Sequence, residues 1–575
     1  MSEISPVDVA DQKTVNQLKI ATNKNSWLGQ FNDKCSEFCS SILVKETRQA
    51  LKSREFIWTY CVLLVCVGSW AVLGLTFSGQ QYEAGGNLLN GFFMILGFPL
   101  GIVIPFSAYR SLAREFEDGT ISLISITTMK PYQIVVGKFG SAILQTLVFL
   151  SVLAPCICCT YLLRGVSIGQ IVFGLSICVG ASVALTILGL FLAGAFRSRT
   201  LGVGVSVLFI LLLGWLFVMW CILCEEMFRN GSIIDWGDPG MVEGTFFCVA
   251  FFGSLAAMLL VAAASQISFP SDNRSTGIRI AMVVQQMLFF AFVIIMLPEV
   301  YRFTEFLLMV TLFAGHYWLL MGFLMIGESS TISRRVQRTL PRTPLTRSFF
   351  SLFMPGAGRG YLFAIANFVT SCICLLLIWN FTEWLVSEEI STNMATRFGP
   401  GVGRVGGREV TAAFISLVYV AWFLSLVYLI MNRISEERKR EWGPGVGPMV
   451  SLLIGALLVA FLSIGSAVIH YNFASYDLRN DISPILVFNW YWSIWELDQN
   501  SVLFSTHLIW HYLFWGQAIL VIGFAMGIAS RELLCKPIAV PERVAIDLEK
   551  RQEKRLLPAG ESLDEIFGEA RPSRD

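Results

Sequence analysis

The chain has 575 residues and a formal net charge of +1, with 14% charged residues, 55% hydrophobic residues and a mean hydropathy of +0.64. Soluble domains carry roughly a quarter of charged residues, so this composition excludes a soluble globular protein. The near-neutral net charge by itself indicates nothing about partners, and we expect no nucleic-acid partner.

The hydrophobic residues fall in blocks of about 20, the length that crosses the hydrocarbon core of a bilayer as a helix. The first 26 residues are polar and contain no signal-peptide core. The sequence therefore predicts an all-α integral membrane protein, a polytopic bundle of about 12 transmembrane helices with both termini cytosolic. The predicted spans are 57–77, 88–109, 139–162, 168–196, 200–224, 244–267, 280–298, 306–326, 361–382, 410–432, 449–469 and 508–529.

The positive charges support this topology. With the amino terminus inside, the outer connections contain only seven of the 42 Lys and Arg residues. Loops rich in Lys and Arg stay on the cytosolic side, so the bias supports both the orientation and the even number of spans. We expect a multi-pass protein of the inner or plasma membrane. The outer basic residues are Arg164, Arg229, Arg302, Arg397, Arg404, Arg408 and Arg479.

Two inner segments carry recognisable patterns. Before the first span, Lys45, Glu46, Arg48 and Arg54 form a Lys-Glu followed by basic residues, typical of a helix lying in the membrane interface beside anionic lipid. Between spans two and three lies an acidic pair, a Gly-Thr, an apolar run, a proline and then a Gly-Lys. Its residues are Glu115, Glu117, Gly119, Thr120, Pro131, Gly137 and Lys138.

In order and spacing these residues resemble the ABC type-2 transporter permease family, the membrane-spanning subunits of ABC exporters. Thr128 departs from the pattern, because the family often has a first proline there. The resemblance implies an interfacial elbow helix at the end of a cytosolic segment 1–56, and a six-helix permease-like unit over 57–267. The region 268–530 is a second unit of about six helices that matches nothing nameable, and 531–575 is a cytosolic tail.

The resemblance further implies that a separate cytosolic ATPase docks on the inner loop and drives export, in a homodimer or heterodimer of permeases. The chain has no G-x-x-x-x-G-K-[ST] phosphate-binding loop, so we expect no ATP hydrolysis by the chain itself, no enzyme activity and no cofactor. None of the predicted spans contains Asp, Glu, Lys or Arg. Because ion-coupled carriers usually keep such groups, their absence argues against an ion-gradient-driven secondary transporter. That carrier is still the first alternative, and a non-transporting scaffold or sensor subunit is the second.

Two outer features have competing interpretations. The segment 488–495 is dense in Trp and Tyr, which favours an anchor in the headgroup layer over a substrate cage. His470, His507 and His511 fall at one predicted depth and have the residue type for a zinc or copper site. Interfacial histidines in an aromatic belt are the simpler interpretation of the same pattern. His316, inside span eight, is expected to be a hydrogen-bonded residue between helices.

Overall fold

The computed structural model describes most of the chain between residues 41 and 533. Within that part every regular element is a helix. The described residues are 41–77, 84–121, 123, 129–162, 167–195, 199–229, 239–269, 272–296, 303–330, 332–338, 340–341, 343–389, 407–434, 443–473, 484–499, 508–533 and 546. The terminal segments 1–40 and most of 534–575, like His507 and Thr128, lie outside them.

Twelve helices are long and apolar enough to cross a membrane, and each overlaps one predicted span, so the predicted fold class is confirmed. The orientation in the membrane stays a prediction. We number them span 1 (Arg54–Phe77), span 2 (Ala84–Glu117), span 3 (Pro131–Leu162), span 4 (Ile168–Ala195), span 5 (Arg199–Arg229), span 6 (Pro239–Ile267), span 7 (Thr276–Met296), span 8 (Phe303–Ile326), span 9 (Ala357–Glu389), span 10 (Gly407–Asn432), span 11 (Gly443–Phe473) and span 12 (Leu508–Leu533).

Two spans contain a π-helical turn. In span 2 the turn Pro99–Val103 separates two α-helical parts, Ala84–Phe98 and Ile104–Glu117. Pro99 has no N–H to donate to the preceding turn, which accounts for the break at this point. In span 11 the turn is Phe461–Gly465. Such single turns are frequent at functional sites in long helices.

A shorter helix, Ser41–Leu51, precedes span 1 and packs along the start of span 3; we name it the elbow helix. On the same side of the bundle, the connection between spans 8 and 9 contains a further helix, Pro344–Leu352, which we name the loop helix. We call this side the inner end, after its predicted location.

The described residues form two large hydrophobic cores. The buried members of the first come from residues 56–267, and those of the second from residues 258–529. Spans 1–6 with the elbow helix therefore share one core, and we name them the first unit; spans 7–12 are the second unit. The units meet where span 6 packs on span 7 and span 4 on span 11.

The aromatic outer segment, predicted as an interfacial anchor, places part of its side chains in the core of the second unit. A short helix, Trp490–Gln499, places the Trp490 side chain inside the second unit, where it is 1% exposed. The indole packs so closely on span 8 that a Cβ at Gly315 would lie 2.6 Å from it. Among the aromatic side chains of this segment that the structure describes, Tyr491 is about half exposed.

The spans also extend beyond the uncharged blocks of the sequence prediction. Span 3 begins eight residues before the predicted start and takes in Lys138, and spans 7 and 9 take in Arg279 and Arg359. All three side chains are buried. The prediction of spans without charged residues is therefore wrong at the helix ends, because partners from other segments compensate these charges.

Candidate functional site

A buried ionic cluster joins three segments at the inner end of the first unit. The Lys138 ammonium, at the start of span 3, lies 2.9 Å from the Glu115 carboxylate near the end of span 2. It lies 3.1 Å from the carboxylate of Glu46 on the elbow helix, and it donates a hydrogen bond of 2.7 Å to the Ser111 hydroxyl. Ser111 in turn donates to Glu46 at 3.1 Å. We name these four residues the first ionic cluster.

The cluster fixes the three segments strongly because it is buried. The Lys138 side chain is 2% exposed, and the carboxylates are largely covered. An ammonium has three N–H donors, and all three are used by Ser111 and the two glutamates. Removing one member of a buried ion pair leaves an uncompensated charge at a cost of about 3–5 kcal/mol. Elbow helix, span 2 and span 3 are therefore expected to move together.

The predicted loop residues divide between this cluster and the surface. Lys138 is buried and its partner Glu115 is partly buried, whereas Glu117 and Gly119 are exposed at the end of span 2. Gly119 has a φ of +67°, a left-handed conformation that favours glycine and turns the chain away from the span. The Thr120 hydroxyl donates to the Glu115 carbonyl at 3.3 Å.

At the other end of the loop, Pro131 is the first residue of span 3, where its missing N–H costs no intrahelical hydrogen bond. Gly137 allows the elbow helix to approach span 3, since a Cβ there would lie 2.8 Å from the Ile42 side chain. Of the predicted elbow residues, Glu46 belongs to the cluster, while Lys45, Arg48 and Arg54 are exposed.

A second ionic cluster, at the inner end of the second unit, was not found from the sequence. Arg279 of span 7 is fully buried, and its guanidinium forms an ion pair of 2.8 Å with the carboxylate of Glu328, which lies just after span 8. The Glu328 carboxylate also accepts a hydrogen bond of 3.1 Å from the backbone N–H of Gly356, just before span 9. Arg279 further donates to the Leu352 carbonyl at the end of the loop helix.

The same cluster extends to the last span. The Glu532 carboxylate accepts the Gly358 N–H at 3.1 Å, and the buried Arg359 donates to the Glu532 carbonyl. Together with Arg279 and Glu328 these residues form the second ionic cluster. It fixes the inner ends of spans 7, 8, 9 and 12 to one another.

A polar group of side chains lies near the middle of spans 7, 8 and 9, at the depth where hydrogen-bonding groups are rare. The Tyr317 hydroxyl donates to Gln285 at 3.0 Å. Gln286 donates to the Ser371 hydroxyl at 2.9 Å, and the Trp318 indole donates to the same hydroxyl at 3.2 Å. The sequence signal for this polar cluster is a pair of adjacent glutamines, Gln285 and Gln286, inside an apolar block.

This midplane polar cluster lines a small cavity of about 10 Å³, enough for one water molecule. Gln285 Nε2 and Gln286 Oε1 have no hydrogen-bond partner among the described residues. Phe251 of span 6 contributes to the wall with Phe289 and Phe313, so both units contribute to it. The cavity presents one unused donor and one unused acceptor among aromatic rings, and it contains no charged residue.

The outer histidines are separate from this cluster. His470 packs on Trp492, with ring centroids 6.2 Å apart, and the buried His511 packs on Trp515 at 5.9 Å. No group of three metal-ligand side chains is found among the described residues, to which His507 does not belong. The metal site therefore stays a prediction.

His316 behaves as predicted. Its Nδ1 donates to the Leu312 carbonyl at 2.7 Å, which leaves Nε2 to accept the Tyr491 hydroxyl. The ring also stacks on Trp490 at 4.8 Å. This histidine therefore links span 8 to the outer helix Trp490–Gln499.

These features define an all-α, multi-pass membrane protein of transporter-like architecture, with twelve membrane-spanning helices in the described part of the chain. No protein-family model, no curated protein and no solved structure matches this chain.

Proposed function

We propose that the protein is the transmembrane permease subunit of an ABC-type exporter, driven by ATP hydrolysis in a separate cytosolic ATPase subunit. The observation that carries the proposal is the first ionic cluster. Lys138, Glu46 and Glu115 join the elbow helix to the two spans on either side of the inner loop. A force applied to that loop is then transmitted to spans 2 and 3 as one body.

The surface of the loop suits a docking partner. Glu117 and Asp118 are exposed beside the left-handed turn at Gly119, and none of the three belongs to the buried cluster. The loop therefore combines an accessible acidic face with a rigid base. An ATPase subunit with basic residues at the contact would fit this face, because complementary charge steers and orients association.

The midplane polar cluster is the candidate contact for cargo. Among the described residues its lining is uncharged, with amide, hydroxyl and indole groups among phenylalanine rings. Ion-coupled carriers usually keep ionisable groups within the membrane as relays or ion sites. This uncharged lining supports a transporter whose energy comes from outside the membrane rather than from protons bound within it.

The test is to purify the tagged full chain in mild detergent from its native membrane and to measure vanadate-sensitive ATP turnover of the preparation. We expect a near-stoichiometric ABC ATPase and turnover that vanadate inhibits. A preparation without ATPase, under conditions that keep a control ABC transporter intact, would contradict the proposal and favour a gradient-driven carrier or a scaffold.

A further inference from the structure

The helices of the first unit pack in a defined order. Span 2 lies at its centre and contacts spans 1, 3, 4 and 5, and span 6 closes the bundle against spans 3 and 4. Span 3 also contacts spans 1 and 4, and span 4 contacts span 5. The elbow helix and the inner ends of spans 2 and 3 are joined by the first ionic cluster.

The second unit repeats this order six spans later. Span 8 lies at the centre and contacts spans 9, 10 and 11, and span 12 closes against spans 9 and 10. Span 9 contacts spans 7 and 10, and span 10 contacts span 11. Spans 7 and 8 meet through Tyr317 and Gln285 and through the stacked rings of Phe289 and Phe313, 5.3 Å apart.

Each unit has an ionic cluster at its inner end with a glutamate at or just after the end of its second helix, although the buried base lies on span 3 in the first unit and on span 7 in the second. In the first, Glu115 at the end of the second helix bonds Lys138 at the start of the third. In the second, Glu328 just after the second helix bonds the backbone at Gly356, at the start of the third. Both glutamates also belong to a cluster with a buried base, Lys138 or Arg279. The sequences around these residues do not repeat, so the similarity is one of helix packing and of the position of the glutamate.

An even number of spans per unit gives both units the same direction across the membrane, as in transporters built from two parallel repeats. We propose that spans 7–12 are a second copy of the transport unit, so that one chain supplies both halves of the pathway and the functional particle contains a single copy of this chain. The midplane cavity is lined by spans 7, 8 and 9 of the second unit and by Phe251 of span 6, so it lies in the second unit on the side that faces the first.

The second unit also carries its own docking surface at the inner end, an assignment that rests on the proposed function. Arg334 and Arg338 are exposed there, and the loop helix exposes apolar side chains, with Leu345 88% exposed. This surface is basic, whereas Glu117 and Asp118 make the docking surface of the first unit acidic. Its occupant is a second ATPase subunit with an acidic and apolar contact face, so the two ATPase subunits of the particle differ in sequence.

The complex is purified with the full-length tagged chain from its native membrane. Native mass spectrometry of this complex tests both the single copy of the chain and the second docking surface. We expect one permease chain with two ATPase subunits of different mass. Two permease chains per particle would overturn the proposal that spans 7–12 are a second copy of the transport unit, whether or not ATPases are present. One permease chain with one ATPase would overturn the second docking surface.

A particle that holds one permease chain and no ATPase, and that still transports, would contradict the proposed function while leaving the paired units intact. The failures of the two proposals are thus distinguishable. The docking surface of the second unit is tested by the variant R334E/R338E/L345E. We expect this variant to lose one ATPase and to keep the other. The matched control is Arg433→Glu, which reverses an exposed charge at the inner end of span 10 and is expected to keep both.

If the triple variant keeps both ATPases and instead loses bound anionic lipid, a lipid surface occupies this site and the docking assignment is overturned. Copy number is checked independently by co-expressing two inactive chains, one altered at Glu117 and Gly119 and the other carrying the triple change. With one chain per particle, vanadate-sensitive turnover stays absent. Restored turnover would overturn the single-copy arrangement.

Discussion

The ammonium of Lys138 lies 2.9 Å from the carboxylate of Glu115, and this contact holds the start of span 3 against the end of span 2. Glu46, from a helix nearly a hundred residues earlier in the chain, completes the contact at 3.1 Å. Because two carboxylates share one ammonium, the base is the member whose loss leaves the largest uncompensated charge.

We therefore expect Lys138→Met to destabilise the protein by about 3–5 kcal/mol, the range for removing one partner of a buried ion pair. Thermal unfolding in detergent, followed by size-exclusion chromatography, measures this loss. The matched variant is K138M/E46Q/E115Q, which removes all three charges and should recover most of the lost stability. Equal melting of Lys138→Met and the unaltered protein would show that the cluster does not hold these segments.

The docking role of the inner loop is tested by replacing Glu117 with Gln and Gly119 with Ala in one variant. Both residues are exposed and outside the ionic cluster, so insertion and melting temperature should stay close to those of the unaltered protein. Co-purification of the ATPase that docks on this loop should fall strongly, because the acidic face is weakened and the left-handed turn at Gly119 is strained by a side chain.

Glu55→Gln is the control for this variant, since Glu55 is an exposed carboxylate at the inner end that pairs with Arg110 at 3.4 Å outside the loop. It should leave co-purification unchanged. If the loop variant still brings down the ATPase at full yield, the coupling role of the loop is wrong.

Hydropathy and charge asymmetry were enough to predict the helical class and all twelve spans, because the bilayer imposes a length and a composition on each span separately. The buried clusters could not be predicted in this way. Glu46 with Lys138, and Gly358 with Glu532, are brought together by packing between distant segments. The prediction of an interfacial location for Trp490 was wrong, because segments dense in Trp and Tyr occur both at membrane interfaces and in protein cores.

The burial of Trp490 leads to a prediction that separates these two interpretations. Trp490 is 1% exposed and donates a hydrogen bond to the Ser416 hydroxyl at 3.3 Å, so Trp490→Ala should cost about 3–5 kcal/mol. Trp510→Ala is the control, because Trp510 is 43% exposed and its loss should change stability little. Similar, small effects of both changes on the melting temperature would restore the interfacial interpretation.

Close backbone packing between spans 8 and 11 gives a further prediction. A Cβ on Gly327 would lie 2.3 Å from the Gly447 carbonyl oxygen, so Gly327→Ala must push the two helix ends apart. Overpacking of this kind costs about 1–3 kcal/mol, which thermal unfolding detects. Gly68→Ala is the control, because a Cβ there meets nothing within 4 Å and alanine has the higher helix propensity. Equal stability of the two variants would contradict the close approach.

The midplane polar cluster can be separated from ordinary helix–helix contacts by the size of its effect on function. Hydrogen bonds between transmembrane helices contribute about 0.6 kcal/mol each on average, so Q285L/Q286L should change the melting temperature little.

If these amides contact cargo, cargo-stimulated ATP turnover should fall about tenfold or more, since Gln285 and Gln286 supply the unused donor and acceptor of the cavity. Gln145→Leu is the matched control, because Gln145 is also buried but, among the described residues, donates to the Ser141 carbonyl in its own helix. A fall in turnover no larger than that of Gln145→Leu would identify the cluster as a packing contact and exclude it from the pathway.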